Sequence, residues 1–227
     1  MTKTKKEKGM DYNFAELYPN KKMLSSSQVL TYEKDPKQFY VEYVLGIRRK
    51  ASQPMFVGKV FSAGFADRKF DWRKSLDSWN NGKGVAPKRL YDLMENSLKA
   101  MPLLPKKDCE YPLKCKFMDW GFRASLDGIL PQVNIIVENK TGQVPWTQER
   151  TDESHQITFQ NWCYWKKNGV LSSKTILYWV DTGANSRQLI RTFNTKRTLT
   201  QLKEFEKRIE AVVGGINAKN FTNVIYG

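Results

Sequence analysis

The fold is decided by a stretch in the middle of the chain, residues 121–140, which reads GFRASLDGILPQVNIIVENK. Apolar and polar residues alternate up to Asp127, the period of a strand with one buried face. Pro131 marks a turn, and the apolar run before Glu138 predicts a second strand. The sequence therefore predicts a β-hairpin with an acidic residue on each strand.

The predicted hairpin brings two carboxylates and a lysine together. Residues i and i+2 of a strand share a face, so Glu138 and Lys140 project to the same side. Cross-strand neighbours lie roughly 5–8 Å apart, a separation at which Asp127 and Glu138 can share a divalent cation. A cation held beside an ammonium group suggests phosphodiester chemistry.

The spacing of an acidic residue two positions before a lysine has little weight alone. It also occurs at Asp35 and at Asp67, where a solvated charge pair explains it. Only the copy at Glu138 follows an apolar run, has an aspartate on the preceding strand and precedes a helix that contains Gln156. Context therefore selects this copy.

The rest of the chain predicts helices and strands in a mixed order. Periodicity, caps and turn residues favour helices over 27–34, 36–45, 56–69, 87–100, 152–167 and 198–213, strands over 111–118, 121–130, 133–140, 175–181 and 187–194, and a loop over 80–84. This order predicts an α/β (α+β) fold with a central mixed β-sheet flanked by helices. We expect a single domain over 23–227 after a basic, flexible arm over 1–22.

Composition points to a polyanionic partner. The 227 residues include 38 Lys+Arg against 23 Asp+Glu, which gives a net charge of +15 and a pI near 9.7. Such an excess favours phosphate contacts with counterion release, and therefore a nucleic acid.

Cysteine usage and hydropathy indicate a cytoplasmic protein. Cys109, Cys115 and Cys163 are odd in number and lack the close pairs of a zinc or iron–sulfur site, so free thiols are expected. No apolar run reaches the length of a membrane span or a signal peptide, so no membrane partner is expected.

Four segments in a fixed order resemble the PD-(D/E)xK nuclease superfamily, specifically its RecB-like exonuclease branch. That branch includes phage recombination and CRISPR-adaptation nucleases. The segments are Ser25 through Tyr32 with Pro36, Phe39, Tyr40 and Tyr43; Phe56 through Phe61; Asp127 with Glu138-Asn139-Lys140; and Gln156. The resemblance spans roughly residues 25–168 and implies a restriction-endonuclease-like core.

The resemblance implies a role for each residue of the central segment. Asp127 and Glu138 correspond to the paired carboxylates that bind Mg²⁺ or Mn²⁺, and the carbonyl of Asn139 is a further oxygen ligand. Lys140 corresponds to the lysine that orients the attacking water and stabilises the charge on the phosphate.

The resemblance also implies that Gln156 supports the site, as the glutamine of a Gln-x-x-x-Tyr pattern that contacts substrate. Gln160 occupies the usual tyrosine position, although Gln160 to Tyr164 has the same spacing, so either register can present a substrate-binding pair. The other candidates for DNA contact are Trp146, which can stack on a base, and Arg123, Arg150 and Lys116, which can track phosphates or be solvated surface charges.

Two departures from the family pattern matter. Ser62 stands where many members of the branch have a metal-binding histidine, so either water or another acidic residue such as Asp67 completes the metal site. Asp35 replaces the first cysteine of the iron–sulfur members, and no cysteine follows Cys163, so no cluster is expected.

The leading hypothesis is a Mg²⁺- or Mn²⁺-dependent deoxyribonuclease. We expect an exonuclease, or a nuclease acting on single strands and ends, in DNA recombination or repair, and phage-encoded. The alternative is a catalytically inactive relative that binds nucleic acid or a protein, which Ser62 favours. A restriction-type endonuclease would need a sequence-reading region that the chain does not display.

Overall fold

The fold is organised around one six-stranded mixed sheet. The computed structural model describes residues 23–47, 52–78, 88–182 and 190–221. The arm predicted over 1–22 and the loop predicted over 80–84 lie outside these residues. The strands are β1 (Met23–Ser25), β2 (Cys109–Phe117), β3 (Trp120–Leu130), β4 (Ile135–Gly142), β5 (Lys174–Asp181) and β6 (Ile190–Thr195).

Helices cover both faces of the sheet. They are α1 (Ser26–Lys34), α2 (Pro36–Phe39, continued by a π-turn over Tyr40–Val44), α3 (Gln53–Ala66), α4 (Trp72–Ser78), α5 (Lys88–Ala100), α6 (Gln148–Asp152), α7 (His155–Asn168) and α8 (Leu199–Asn217). Buried side chains of α1, α7 and α8 pack on one face, and those of α3 and α5 on the other. Within the described residues, no helix is both long and apolar enough to cross a bilayer.

Strand β3 is the centre of the sheet, and one of its edges is interrupted. Antiparallel β2 pairs along β3 from Trp120 to Gly128. On the other edge, parallel β1 pairs with residues 121–123 and antiparallel β4 pairs only with residues 128–130. Residues 124–127 of β3 therefore have no strand partner on that edge among the described strands. Beyond the gap, β4 continues along β5 in parallel.

The predicted fold class is confirmed, with local differences. The strand predicted from Tyr111 begins at Cys109, and the helix predicted over 56–69 lies at Gln53–Ala66. The helix predicted over 152–167 lies at His155–Asn168, because Ser154 is its N-cap, and the short α6 that precedes it was not predicted. Strand β1 and helix α4 were not predicted, since β1 has three residues and depends on pairing with distant β3.

Adjacent glycines of α8 provide a matched test of the packing. A Cβ at Gly215 would lie 2.9 Å from Cζ of Tyr32, whose hydroxyl donates to the Asn220 carbonyl at 2.6 Å. A Cβ at Gly214 would meet no atom within 4 Å. We expect Gly215→Ala to destabilise the protein by about 1–3 kcal/mol through overpacking. Gly214→Ala should stabilise it by about 0.5–1 kcal/mol, because alanine loses less entropy in a helix.

Chemical denaturation of the two variants measures both changes in the free energy of unfolding. Equal effects of the two substitutions would contradict the packing of α8 against α1.

Candidate active site

Asp127 lies in the gap between β3 and β4. Its Oδ2 accepts a hydrogen bond of 2.7 Å from the backbone N–H of Asn139, so the carboxylate replaces the missing main-chain ladder. The hairpin turn lies at the opposite end of the paired segment, where Pro131–Val133 forms a 3₁₀ turn and Asn134 adopts a left-handed conformation (φ 53°) before β4 begins. The two strands separate immediately after they pair, and Asp127 bridges them.

Glu138 is the most buried charged group of the site, with 1% of its surface exposed. Its Oε1 accepts from Lys140 Nζ at 2.5 Å and from Gln156 Nε2 at 2.6 Å. Its Oε2 accepts from Gln160 Nε2 at 2.6 Å. A buried carboxylate is costly unless it is paired and hydrogen-bonded, and these three donors meet both requirements.

Lys140 and Gln156 are also bonded to each other. Lys140 Nζ donates to Gln156 Oε1 at 2.6 Å, so the lysine, the glutamine and Glu138 form a closed triangle. Gln156 reaches the sheet because it stands in the first turn of α7, whose N-cap is Ser154. The prediction that Asp127, Glu138, Lys140 and Gln156 assemble in space agrees with this geometry; their catalytic roles remain predictions.

Gln160 lies beneath the site rather than facing substrate. It is 1% exposed, and its Nε2 donates to Glu138 and, at 3.2 Å, to the carbonyl of Ser125 in the unpaired stretch of β3. One amide therefore joins β3 to the carboxylate of β4. Tyr164 is also buried, and its hydroxyl donates to Asn134 Oδ1 at 2.6 Å. The sequence predicted that Gln160 and Tyr164 contact substrate. In the structure, both side chains are buried and face the protein interior.

The ionised forms of Asp127 and Glu138 repel each other. Burial, together with repulsion from Glu138, raises the pKa of Asp127 from 3.8 to about 8. The Asn139 hydrogen bond and the charge of Lys140 oppose this shift, and Glu110 adds to it. In the metal-free protein, Asp127 is therefore protonated near neutral pH.

The acidic pair opens into a cleft of about 730 Å³ between the sheet and the first half of α3. Gly58 allows α3 to approach β4, since a Cβ there would lie 3.3 Å from Thr141 Oγ1. The lining comprises Pro54, Met55, Gly58, Lys59, Phe61, Ser62, Glu110, Asp127, Glu138, Asn139, Lys140, Thr141 and Gln156. The sequence did not predict that Glu110 and Lys59 line the cleft. Every second residue of β2 from Glu110 to Lys116 is exposed, and this alternation is the sequence pattern that could have included Glu110.

The donors in the cleft suit a hard cation. Asp127, Glu138 and backbone carbonyls offer oxygen ligands, which Mg²⁺ and Mn²⁺ prefer. Asn139 is 6% exposed, and neither polar atom of its side chain has a partner among the described residues. Within the same residues, no three acidic, histidine or cysteine side chains are grouped closely enough to form a ready-made metal cage. Magnesium commonly completes its shell with water and phosphate oxygens, so two carboxylates satisfy its requirements.

The remaining predicted substrate contacts lie outside the cleft lining. Trp146 donates from its ring N–H to Thr151 Oγ1 at 2.8 Å, and the Arg150 guanidinium covers its ring at 4.0 Å. Arg123 and Lys116 are exposed on β3 and β2. Arg123 is two side-chain rows from Asp127 on the same face of β3, so it is the better placed of the two for a substrate that enters the cleft.

Asp67 and His155 have partners elsewhere. Asp67 is paired with Lys106 at 2.8 Å, so it does not complete the metal site as the sequence allowed. His155 Nδ1 lies 3.2 Å from Ser26 Oγ, its Nε2 lies 3.4 Å from Glu33, and its ring packs edge-on against Phe205. The only histidine of the chain joins α1, α7 and α8 and does not line the cleft.

Comparison with solved structures shows the fold. A protein of Eubacterium rectale assigned as an exonuclease superposes with a TM-score of 0.55 at 14% identity, covering 96% of this chain and 85% of that one. An alkaline exonuclease of Laribacter hongkongensis gives a TM-score of 0.41 at 13% identity, covering 70% and 87%. No protein-family model matches the chain, and no curated protein sequence matches it. The fold expected from the resemblance to the PD-(D/E)xK superfamily is confirmed.

The raised pKa of Asp127 predicts a pH-dependent cost to the metal-free protein. Between pH 4 and pH 8 the folded protein keeps a proton on Asp127 that the unfolded chain has released, so stability falls as pH rises through this range. Asp127→Asn removes the titration. We expect the stability advantage of Asp127→Asn over the native protein to grow from pH 5 to pH 8 and then level off. Urea denaturation in chelator measures it, and a difference that does not vary with pH would contradict the assignment.

The contacts of Gln160 predict a loss of stability when they are removed. Gln160→Leu leaves Glu138 Oε2 and the Ser125 carbonyl without a buried donor, which should cost about 1–3 kcal/mol of the free energy of unfolding. Gln132→Leu makes the same substitution at an exposed turn position and should change it by less than about 0.5 kcal/mol. Equal stabilities in the two variants would show that Glu138 does not depend on Gln160.

Proposed function

We propose that the protein is a Mg²⁺- or Mn²⁺-dependent nuclease that hydrolyses phosphodiester bonds of DNA. The observation that carries the proposal is the closed triangle of Glu138, Lys140 and Gln156, which stands beside Asp127 in an open cleft. A purely structural ion pair does not require a second buried carboxyl group beside it or an adjoining cleft. The net charge of +15 supports a polyanionic substrate.

In this mechanism Asp127, Glu138 and the Asn139 carbonyl would hold the cation. When bound there, the cation screens the phosphate charge and lowers the pKa of a coordinated water. Gln160 fixes Oε2 of Glu138, and Lys140 and Gln156 hold its Oε1. Lys140 supplies an ammonium that orients the attacking water and stabilises charge on the phosphate, and Gln156 holds this lysine in place.

Exposed basic residues mark the proposed route of the DNA backbone. Lys59 lines the cleft on the α3 side. Outside the cleft lining, Arg123 of β3 pairs in register with Lys114 of β2, and both are exposed. We propose that these residues guide a strand end toward Asp127, in DNA recombination or repair in the cytoplasm. Trp146 with its stacked Arg150 is a secondary contact beyond the cleft.

A catalytically inactive DNA-binding protein is the second candidate. Two observations favour it: Ser62 faces the cleft where the family has a histidine, and both oxygens of Glu138 are occupied by protein donors. This candidate expects salt-sensitive DNA binding without cleavage in any divalent ion. The nuclease proposal expects cleavage that a chelator abolishes.

Loss of Lys140 tests the nuclease directly. Lys140→Ala should lower the rate of Mn²⁺-dependent cleavage by at least about 10²-fold, because the positive charge beside the phosphate is lost. Lys106→Ala removes an equal charge from a surface pair and should keep the native rate. Melting temperatures of both variants control for folding. Native activity in Lys140→Ala would contradict the proposed site.

End-labelled single-stranded, double-stranded and circular DNA distinguish the modes of cleavage in the same assay. Progressive shortening of linear substrates with intact circles supports an exonuclease. Discrete fragments from circular DNA would replace it with an endonuclease.

A further inference from the structure

Glu110 is a third carboxylate in the cleft, and it lies outside the sequence motif. It is the second residue of β2, and it lines the same cleft as Asp127 and Glu138. The β2–β3 register pairs Cys109 with Gly128 and Tyr111 with Leu126, so Glu110 and Asp127 are each the residue between these two pairs on their own strand.

The setting of Glu110 is unfavourable unless the carboxylate has a use. Its φ of 44° is in the left-handed region, where asparagine, aspartate and glycine are favoured over glutamate. Within the described residues, the side chain of Glu110 makes no hydrogen bond or ion pair, although the chain carries 38 basic residues. An exposed, unpaired acid therefore lines the same cleft as Asp127 and Glu138.

A second observation concerns Asn139, which lines the same cleft as Glu110. Asn139 has 94% of its surface buried, and both polar atoms of its side chain lack a partner among the described residues. An unpartnered buried amide costs free energy comparable to a lost hydrogen bond. A hydrated cation in the cleft offers such an amide both a ligand position and water molecules to bond.

We propose that Glu110 is a ligand of the divalent cation, on the β2 side of the cleft, and that it takes the place that Ser62 leaves unfilled. The inference rests on the proposed nuclease function. Within the described residues, the acidic side chains are not gathered into a cage. A bound cation would attract these carboxylates, and the exposed Glu110 side chain is free to turn toward it.

Mn²⁺ binding to the chelator-stripped protein, measured by calorimetry, tests the proposal without catalysis. Glu110→Asn removes the charge and places at φ 44° a residue that tolerates it. We expect Mn²⁺ affinity to fall about 10-fold or more, while the melting temperature without metal stays the same or rises. Asp67→Asn, the matched control, removes an acid paired with Lys106 and should keep the native affinity.

The outcomes separate this inference from the function on which it rests. Native Mn²⁺ affinity in Glu110→Asn, from a native protein that binds Mn²⁺ and cleaves DNA, would overturn the role of Glu110 and leave the nuclease standing. A native protein that neither binds Mn²⁺ nor cleaves DNA would overturn both. Equal losses of Mn²⁺ affinity in Glu110→Asn and Asp67→Asn would show that the loss comes from the change in net charge, and would overturn the role of Glu110 as a ligand.

Discussion

The buried carboxylate of Glu138 is the constraint on which the site depends. Only 1% of the surface of Glu138 is exposed, so its charge is tolerated only when both oxygens accept hydrogen bonds. The donors come from one strand and one helix. Lys140 comes from the same strand, and Gln156 and Gln160 come from successive turns of α7. The position of α7 on the sheet is therefore tied to one acidic side chain.

The interrupted edge of β3 explains why this carboxylate can serve function as well as structure. A continuous ladder between β3 and β4 would fill the space with main-chain hydrogen bonds. Instead, side chains join the strands: Asp127 accepts from Asn139, and Gln160 donates to Ser125. The strands diverge without leaving these backbone groups unsatisfied, and the divergence creates the acidic cleft.

The spacing of residues along the chain predicted the central residues of the site well. It predicted much less well which side chains meet the cleft and which meet the core. Asp127, Glu138 and Lys140 belong to one hairpin, so strand periodicity was enough to bring them together. Gln160 and Tyr164 were misplaced, because the i+4 rule puts residues on one helix face and does not say whether that face meets substrate or core. Glu110 was missed because the strand was predicted to start at Tyr111, two residues after its observed start at Cys109. Only the pairing of β2 with β3 brings Glu110 near Asp127.

The central claim is that the Asp127–Glu138 cleft binds a divalent cation for phosphodiester hydrolysis. The most direct measurement is the anomalous difference density of a crystal grown with Mn²⁺. The account predicts a peak in the cleft within about 2.5 Å of an oxygen of Asp127 and an oxygen of Glu138, with Lys140 still beside the site. A crystal with Mn²⁺ bound only elsewhere, and with the triangle of Glu138, Lys140 and Gln156 closed, would contradict it.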